Sequence, residues 1–269
     1  MVKTLVIAGH GLNRDGSFDP GASGYITKGE HNYYAKDFFP AVRKYLPLNH
    51  EVILFDAYNV YDRGNIIALA KSYGSDTRVI ECHFDATGSS DASGGHVIIH
   101  GAYNPDKLDL ALRDWIKKFI GVRYIYKGHV GISGRWDLGN CNLSYAGGVN
   151  YRLIELGFGT NKRDANTMLN NVNDLAKEFV RVICGEVNIQ VVSKTFTFTD
   201  RIEVRNKPDL SEGNRSGVYY NNGETVYLDN LIEGSSYIWG TYLARLTKNQ
   251  RRYVILKNKK INKWYGTFN

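Results

Sequence analysis

The sequence predicts an α/β protein: a mostly parallel sheet with helices on both faces, followed by a small all-β barrel. Three observations predict it. Up to about residue 184, apolar strand-like runs alternate with helical patterns. Beyond that point, short β-rich runs are separated by turn signals such as NNG and EGSS. The charge divides at the same place: residues 186–269 hold 13 Lys and Arg against 8 Asp and Glu, which is +5 of the total +7.

The elements follow in order. KTLVIAG reads as a first strand. EHNYYAKDFFPAVRKYL is helix-like, with Pro40 expected to kink or interrupt it. EVILFDAY is a strand and RGNIIALAKSYG a helix, and TRVIECHF and GGHVIIHG are two further strands. NPDKLDLALRDWIKKFIG is amphipathic, with Leu108, Leu112, Trp115 and Phe119 at helical spacing. YRLIELGF is another strand, and DANTMLNNVNDLAKEFVRVIC closes the region as one helix. GEVNIQVVSK reads as a linker or a first strand of the next region. Then come KTFTFTDRIEVRN, GVYYNNGETVYLDN, SSYIWGTYLA and RRYVILK, and 12 of the last 84 residues are aromatic. About half of those rings are expected in the core, because a barrel interior needs large side chains. The boundaries are therefore 1–184, a linker over 185–194, and 195–269.

Composition narrows the function. The 269 residues are 43% hydrophobic and 23% charged, enough for one large domain or two modest ones. No apolar run approaches the roughly 20 residues of a membrane span, so no membrane insertion is expected. The N-terminus offers one Lys and the short run LVIAG, which does not read as a signal peptide. Cys82, Cys141 and Cys184 are odd in number and widely spaced, which argues against a disulfide framework or a zinc knuckle. The basic second part suggests an anionic partner. Arg251, Arg252 and the run KNKK at 257–260 read as solvated loop charges. The charge is modest and no RNA-binding motif is visible, so nucleic acid is not the expected partner.

The loop after the first strand, GHGLNRDGSFDPGASG, could bind phosphate, present a metal ligand or turn a corner. A dinucleotide fingerprint fails at its third glycine, where Arg14 stands. A phosphate-binding lysine loop fails too, because Gly21-Ala22-Ser23 lacks the Lys. Three strand candidates, however, carry a ligand or base: His10 after TLVIAG, His83 after RVIEC, and Glu155 in RLIEL. In open α/β sheets ligands bind outside the carboxyl ends of the strands. Glu30, at the start of the first helix, adds a fourth group. Two His and one Glu form a known catalytic zinc set, and the second Glu would be a general base. Glu155 interrupts an otherwise apolar strand, where an unpartnered carboxylate is costly. Glu81 shares the strand face of His83, either as a supporting partner or as a misfit.

Together VIAGHG…DPGASG, Glu30, ECHFDA and LIELGFGTN resemble the zinc-dependent N-acetylmuramoyl-L-alanine amidases of the Amidase_3 type, which bacterial autolysins and phage endolysins share. The resemblance covers residues 1 to about 184. It implies zinc ligands at His10, Glu30 and His83 and a catalytic glutamate at Glu155. Glu81, Asp85 and Asn161 lie in the same motifs and are expected to touch substrate or support the site. Two departures stand out. The family's central motif usually reads Ser-x-His-x-Asn-Ala, and this chain has Asp85 in place of the Asn. The opening loop also carries an inserted NRDGSF, expected on a substrate-side rim. Residues 195–269 resemble a bacterial SH3-type cell-wall-binding domain, carried by GVYYNNGETVYLDNLIEGSSYIWGTYLA and KWYGTF.

The resemblance implies a peptidoglycan hydrolase. It would cut the amide between N-acetylmuramic acid and L-alanine, use Zn²⁺, and bind wall polymers through its second part. Alternatives are a zinc peptidase of the stem or cross-bridge, a bacterial autolysin, and a wall-binding protein without activity. The expected setting is a phage endolysin, made in the host cytoplasm and reaching a Gram-positive wall after membrane permeabilisation.

Overall fold

The computed structural model describes all residues except 1, 48–49, 186–194, 229 and 245–249. The chain divides into two compact units: a larger one over residues 1–42 and 51–187, and a smaller one over residues 188–269 with which the segment 43–50 also groups. The expected linker over 185–194 lies, Gly185 apart, outside the described residues.

The larger unit holds a six-stranded sheet. Its strands are Thr4–Ala8 (β1), Val52–Phe55 (β2), Arg78–Asp85 (β3), His96–His100 (β4), Ile132–Arg135 (β5) and Asn150–Phe158 (β6). The spatial order is β2-β1-β3-β6-β4-β5. All neighbours are parallel except β6 and β4, which run antiparallel. The mostly parallel α/β architecture is thus as the alternating pattern predicts. Leu5 and Ile7 of β1 are fully buried, as continuous apolar strands covered on both faces must be.

One face is covered by the helices Val60–Arg63 (α3), Ile66–Tyr73 (α4) and Gly139–Ala146 (α6); Leu5, Ile7, Val79 and Leu153 pack there against Ile66, Ala70 and Cys141. On the other face, Phe84 meets Tyr33 and Tyr34, while Phe38, Trp115 and Phe179 form an aromatic cluster. Those rings come from the first helical run, from Lys107–Phe119 (α5) and from Val172–Cys184 (α8). Cys82, Cys141 and Cys184 are not joined by disulfides. No helix among the described residues is long and apolar enough to cross a membrane.

Two local expectations are refined, and one stretch without an expectation is filled. Pro40 does not end its helix, but the α geometry is interrupted just ahead of it, as expected of a proline: Glu30–Tyr33 (α1) runs through a π turn at Tyr34–Phe38 into Phe39–Tyr45 (α2). The wider turn accommodates a residue that has no N–H to donate and crowds the preceding carbonyl. The expected single helix at 164–184 is two, Lys162–Asn170 (α7) and α8, parted at Asn171. Residues 122–150, which show no clear periodicity, supply a short hairpin, β5 and α6.

The described residues of 195–269, in the smaller unit, form β-strands and their connections, with one 3₁₀ turn at Glu212–Asn214. A three-stranded sheet pairs Thr225–Tyr227, Thr195–Phe198 and Gly266–Phe268. A second sheet runs Arg215–Tyr220, Ile202–Arg205, Gln250–Asn258, Tyr237–Ala244 and Asn230–Glu233, with Lys263–Trp264 pairing Gln250–Asn258. Phe196, Phe198, Val204, Val226, Leu228, Val254 and Leu256 make its core. Arg251, Arg252 and Lys257 sit within a strand, not in the loop expected for them.

Candidate metal centre

The site is built where β1, β3 and β6 end. His10 follows β1 in a left-handed conformation, φ 60°, so the chain leaves the strand abruptly. A Cβ on Gly9 would come within 2.2 Å of the His83 ring, so only glycine lets that imidazole lie against the end of β1. Glu30 opens α1 and is 1% exposed. The DPGA stretch ties it in place: Glu30 N donates to Ala22 O, and Ala22 N donates to Glu30 Oε2, at 2.9 and 3.0 Å. His31 N likewise donates to Pro20 O.

His10, Glu30 and His83 come together, each offering one ligand atom within 4.8 Å of the others. His10 Nδ1 donates to Asp19 Oδ2 at 2.7 Å, which leaves Nε2 toward Glu30, 3.7 Å from Oε2. His83 Nε2 donates to Glu81 Oε1 at 3.2 Å, which leaves Nδ1 toward Glu30, 2.6 Å from Oε1. That last pair is close but off the hydrogen-bond direction, and the buried Oε1 accepts no hydrogen bond. Two imidazole nitrogens and a carboxylate oxygen converge with their outer nitrogens already committed to carboxylates. This is how histidine ligands of a metal are oriented. The donor set fits a divalent cation, and zinc in particular.

The electrostatics agree. Burial disfavours a charged imidazole at His83, yet Glu30 and Glu81 push its pKa well above the usual histidine value. The field at the site is therefore strongly negative. Glu81 is 3% exposed, and burial alone would raise its pKa. Hydrogen bonds from His83, from Tyr151 Oη at 2.6 Å and from Asn140 Nδ2 at 2.9 Å outweigh burial and hold it below the ordinary range. Glu81 is thus a fully satisfied carboxylate that aims His83.

Glu155 differs. It lies directly across from His83 in the β6–β3 register and across from His96 in the β6–β4 register. Its Oε2 is buried without a hydrogen-bond partner. Shielding from water pushes its carboxyl well above the usual range; His83 opposes this, and Asp85, Glu30 and Glu81 reinforce it. A carboxylate of raised proton affinity beside a cation site can carry a proton.

The remaining expected residues are placed as follows. Asp85 Oδ2 faces His96 Nε2 at 3.5 Å, and His96 Nδ1 lies 2.9 Å from Ser133 Oγ. Asn161 caps α7, its Oδ1 accepting from Arg163 N and Asp164 N, while its Nδ2 donates to Ser90 O. The inserted NRDGSF is pinned to α3, where Arg14 N donates to Asp62 Oδ2 and Arg14 Nη2 to Arg63 O. Sequence reasoning gave no role to Asp19, Asn140, Tyr151 or His96. Asp19 stood inside the quoted DPGA motif and could have been found there; the others carry no local signal.

An open α/β sheet whose strand ends gather two histidines, a buried carboxylate and a second carboxylate beside them can hold a divalent cation next to a group able to carry a proton. The comparisons narrow it. The family model described as N-acetylmuramoyl-L-alanine amidase, Amidase_3, matches residues 5–184, and the chain belongs to that family. Over 94% of its length it is 33% identical to the Probable autolysin PH of Staphylococcus aureus (strain NCTC 8325 / PS 47); it spans 59% of the length of that curated relative. Its fold is similar to the catalytic domain of the CD27L endolysin targeting Clostridia Difficile, with TM-score 0.51 and 20% identity over 70% of this chain and 100% of that one. It is also similar to the N-acetylmuramyl-L-alanine amidase Ami1 from Mycobacterium smegmatis, with TM-score 0.52 and 22% identity over 68% and 95%.

Proposed function

We propose that the chain is a zinc-dependent N-acetylmuramoyl-L-alanine amidase that cuts the amide joining the lactyl group of N-acetylmuramic acid to L-alanine in peptidoglycan. The observation that carries this reading is the convergence of His10, Glu30 and His83 beside Glu155, in a chain of the amidase family. His10, Glu30 and His83 would hold the zinc. Bound there, zinc supplies Lewis acidity, which lowers the pKa of water and polarises a carbonyl. Asp19 and Glu81 fix the orientations of His10 and His83. Glu155 takes the proton from the attacking water and delivers it to the leaving amine of L-alanine. Its raised proton affinity suits both transfers.

The catalytic part is assigned to residues 1–184, a linker to 185–194, and an SH3-like wall-binding part to 195–269. The basic, aromatic-rich all-β unit supports the last assignment. A tether raises the local concentration of enzyme at the wall. The biological reading is a phage endolysin of a Gram-positive host; the autolysin name of the Staphylococcus relative supports action on such a wall. Mass spectrometry of digested wall tests the bond: free N-terminal L-alanine should accumulate without new reducing sugar ends. New termini within the stem or cross-bridge would overturn it in favour of a peptidase.

A further inference from the structure

On the sheet face that carries Glu155, β4 leads away from the metal centre. His96, opposite Glu155, begins β4, and His100 ends it on the same face, about 13 Å further along at the usual strand rise. Three rings gather around the buried His100. Tyr145 stacks on it at 3.8 Å and 6°, Trp136 meets it edge-on at 4.7 Å, and Tyr103 lies 5.3 Å from Tyr145. These rings are far from hidden: Trp136 is 65% exposed, Tyr145 43% and Tyr103 41%.

They are also held rigidly. The Trp136 indole lies over Gly101, where a Cβ would come within 2.1 Å of its Nε1. Asn142 Nδ2 donates to Trp136 O at 2.7 Å. Lys127 Nζ donates to Tyr103 O, and Tyr103 N donates to His100 O. His100 Nδ1 accepts from Ala102 N, which fixes its ring as well. Arg135, next in sequence to Trp136, is neutralised by a two-pronged pair with Asp137. Among the described residues, Trp136 Nε1 and the hydroxyls of Tyr103 and Tyr145 have no hydrogen-bond partner.

We propose that Trp136, Tyr145 and Tyr103 form a saccharide-binding platform for the β-1,4-linked N-acetylhexosamine chain of the wall glycan, separate from the metal centre. The proposal rests on the wall-hydrolase reading for the identity of the glycan. The chemistry is that of an amphipathic ligand. Aromatic faces carry negative charge density and attract the electropositive C–H face of a pyranose, while the free ring N–H and hydroxyls reach the sugar's equatorial oxygens. The flanking Arg135 is already paired with Asp137, so the charge left beside the rings is that of Lys127, held by Tyr103 O and Asn104 Oδ1. An apolar protein face would strand three donors, a cost that hydroxyl-rich sugar avoids. Preorganised rings lose little freedom on binding.

The test uses the full chain carrying Glu155→Gln, so that nothing is turned over, and chitohexaose as the probe in a calorimetric titration. Trp136→Ala should weaken hexamer affinity about tenfold, the scale of one lost aromatic contact. Trp136→Phe, which keeps a ring, should fall between. Equal hexamer binding with and without the indole would overturn the platform. So would no hexamer binding by the parent chain, or sedimentation showing a dimer that Trp136→Ala dissociates. The titration reads no lysis, so a failure of the amidase reading would register separately, as wall clearance by Glu155→Gln.

Discussion

The two units of this chain bury different kinds of side chain. The smaller one has a core of Phe196, Phe198, Val204, Val226, Leu228, Val254 and Leu256, all apolar. The larger one buries Glu30, Glu81, Asp109 and Arg152 among its apolar strands. Burying charge costs stability unless partners compensate. Within the larger unit the compensation is uneven, and the unevenness locates the chemistry. Arg152 is paired with Asp109 at 2.8 Å and Asp106 at 2.9 Å, and Glu81 is satisfied by three side chains. Glu30 Oε1 and Glu155 Oε2 are buried without hydrogen bonds. Satisfied buried charges build the frame, and unsatisfied ones wait for a cation or a proton.

The largest expected effect breaks that comparison at its chemical end. Glu155→Gln should lower wall clearance about a thousandfold, the usual scale for a lost acid–base group. Its thermal midpoint should stay equal or rise, because an uncompensated buried carboxylate is removed. A marked drop in midpoint would make Glu155 a structural residue instead. Next come the stability effects. Arg152→Ala should destabilise the larger unit by about 3–5 kcal/mol, since it leaves Asp109 buried without its partner. Phe198→Ala should cost the smaller unit about as much through a cavity, with no change in cleavage of a small soluble muropeptide. Denaturant melts of the two variants, read beside activity, would show whether the units fail independently. The smallest effect belongs to Glu81→Gln. The amide still accepts from Tyr151, but it aims His83 less firmly, so zinc affinity should fall about 10–100-fold. Unchanged affinity in a metal titration would reduce Glu81 to a frame residue like Arg152.

The sequence revealed the site better than it revealed the walls around it. In Asn150–Phe158, Glu155 stands between Leu153-Ile154 and Leu156, and a charged residue inside such an apolar stretch is conspicuous. Glu155 is legible for that reason, and His83 because it follows the run RVIEC at a strand end. Strand direction leaves no such mark, and the one antiparallel pairing, β6 with β4, is set by the path of the connection. Helix α6, read as GNCNLSYA, has no apolar stripe, so its Asn140 could not be placed beside Glu81 in advance. Pro40 marks an irregularity in its helix, but does not show that it takes the form of a π turn that relieves the clash. Tyr151 acts through a contact that exists only after folding.

The central claim is that His10, Glu30 and His83 hold a zinc ion. Metal content of dialysed protein, measured by atomic emission, tests it most directly. The account predicts about one zinc per unmodified chain. It predicts nearly none in His10→Ala and in Glu30→Gln, with circular dichroism unchanged. A full equivalent of zinc retained in both folded variants would contradict it.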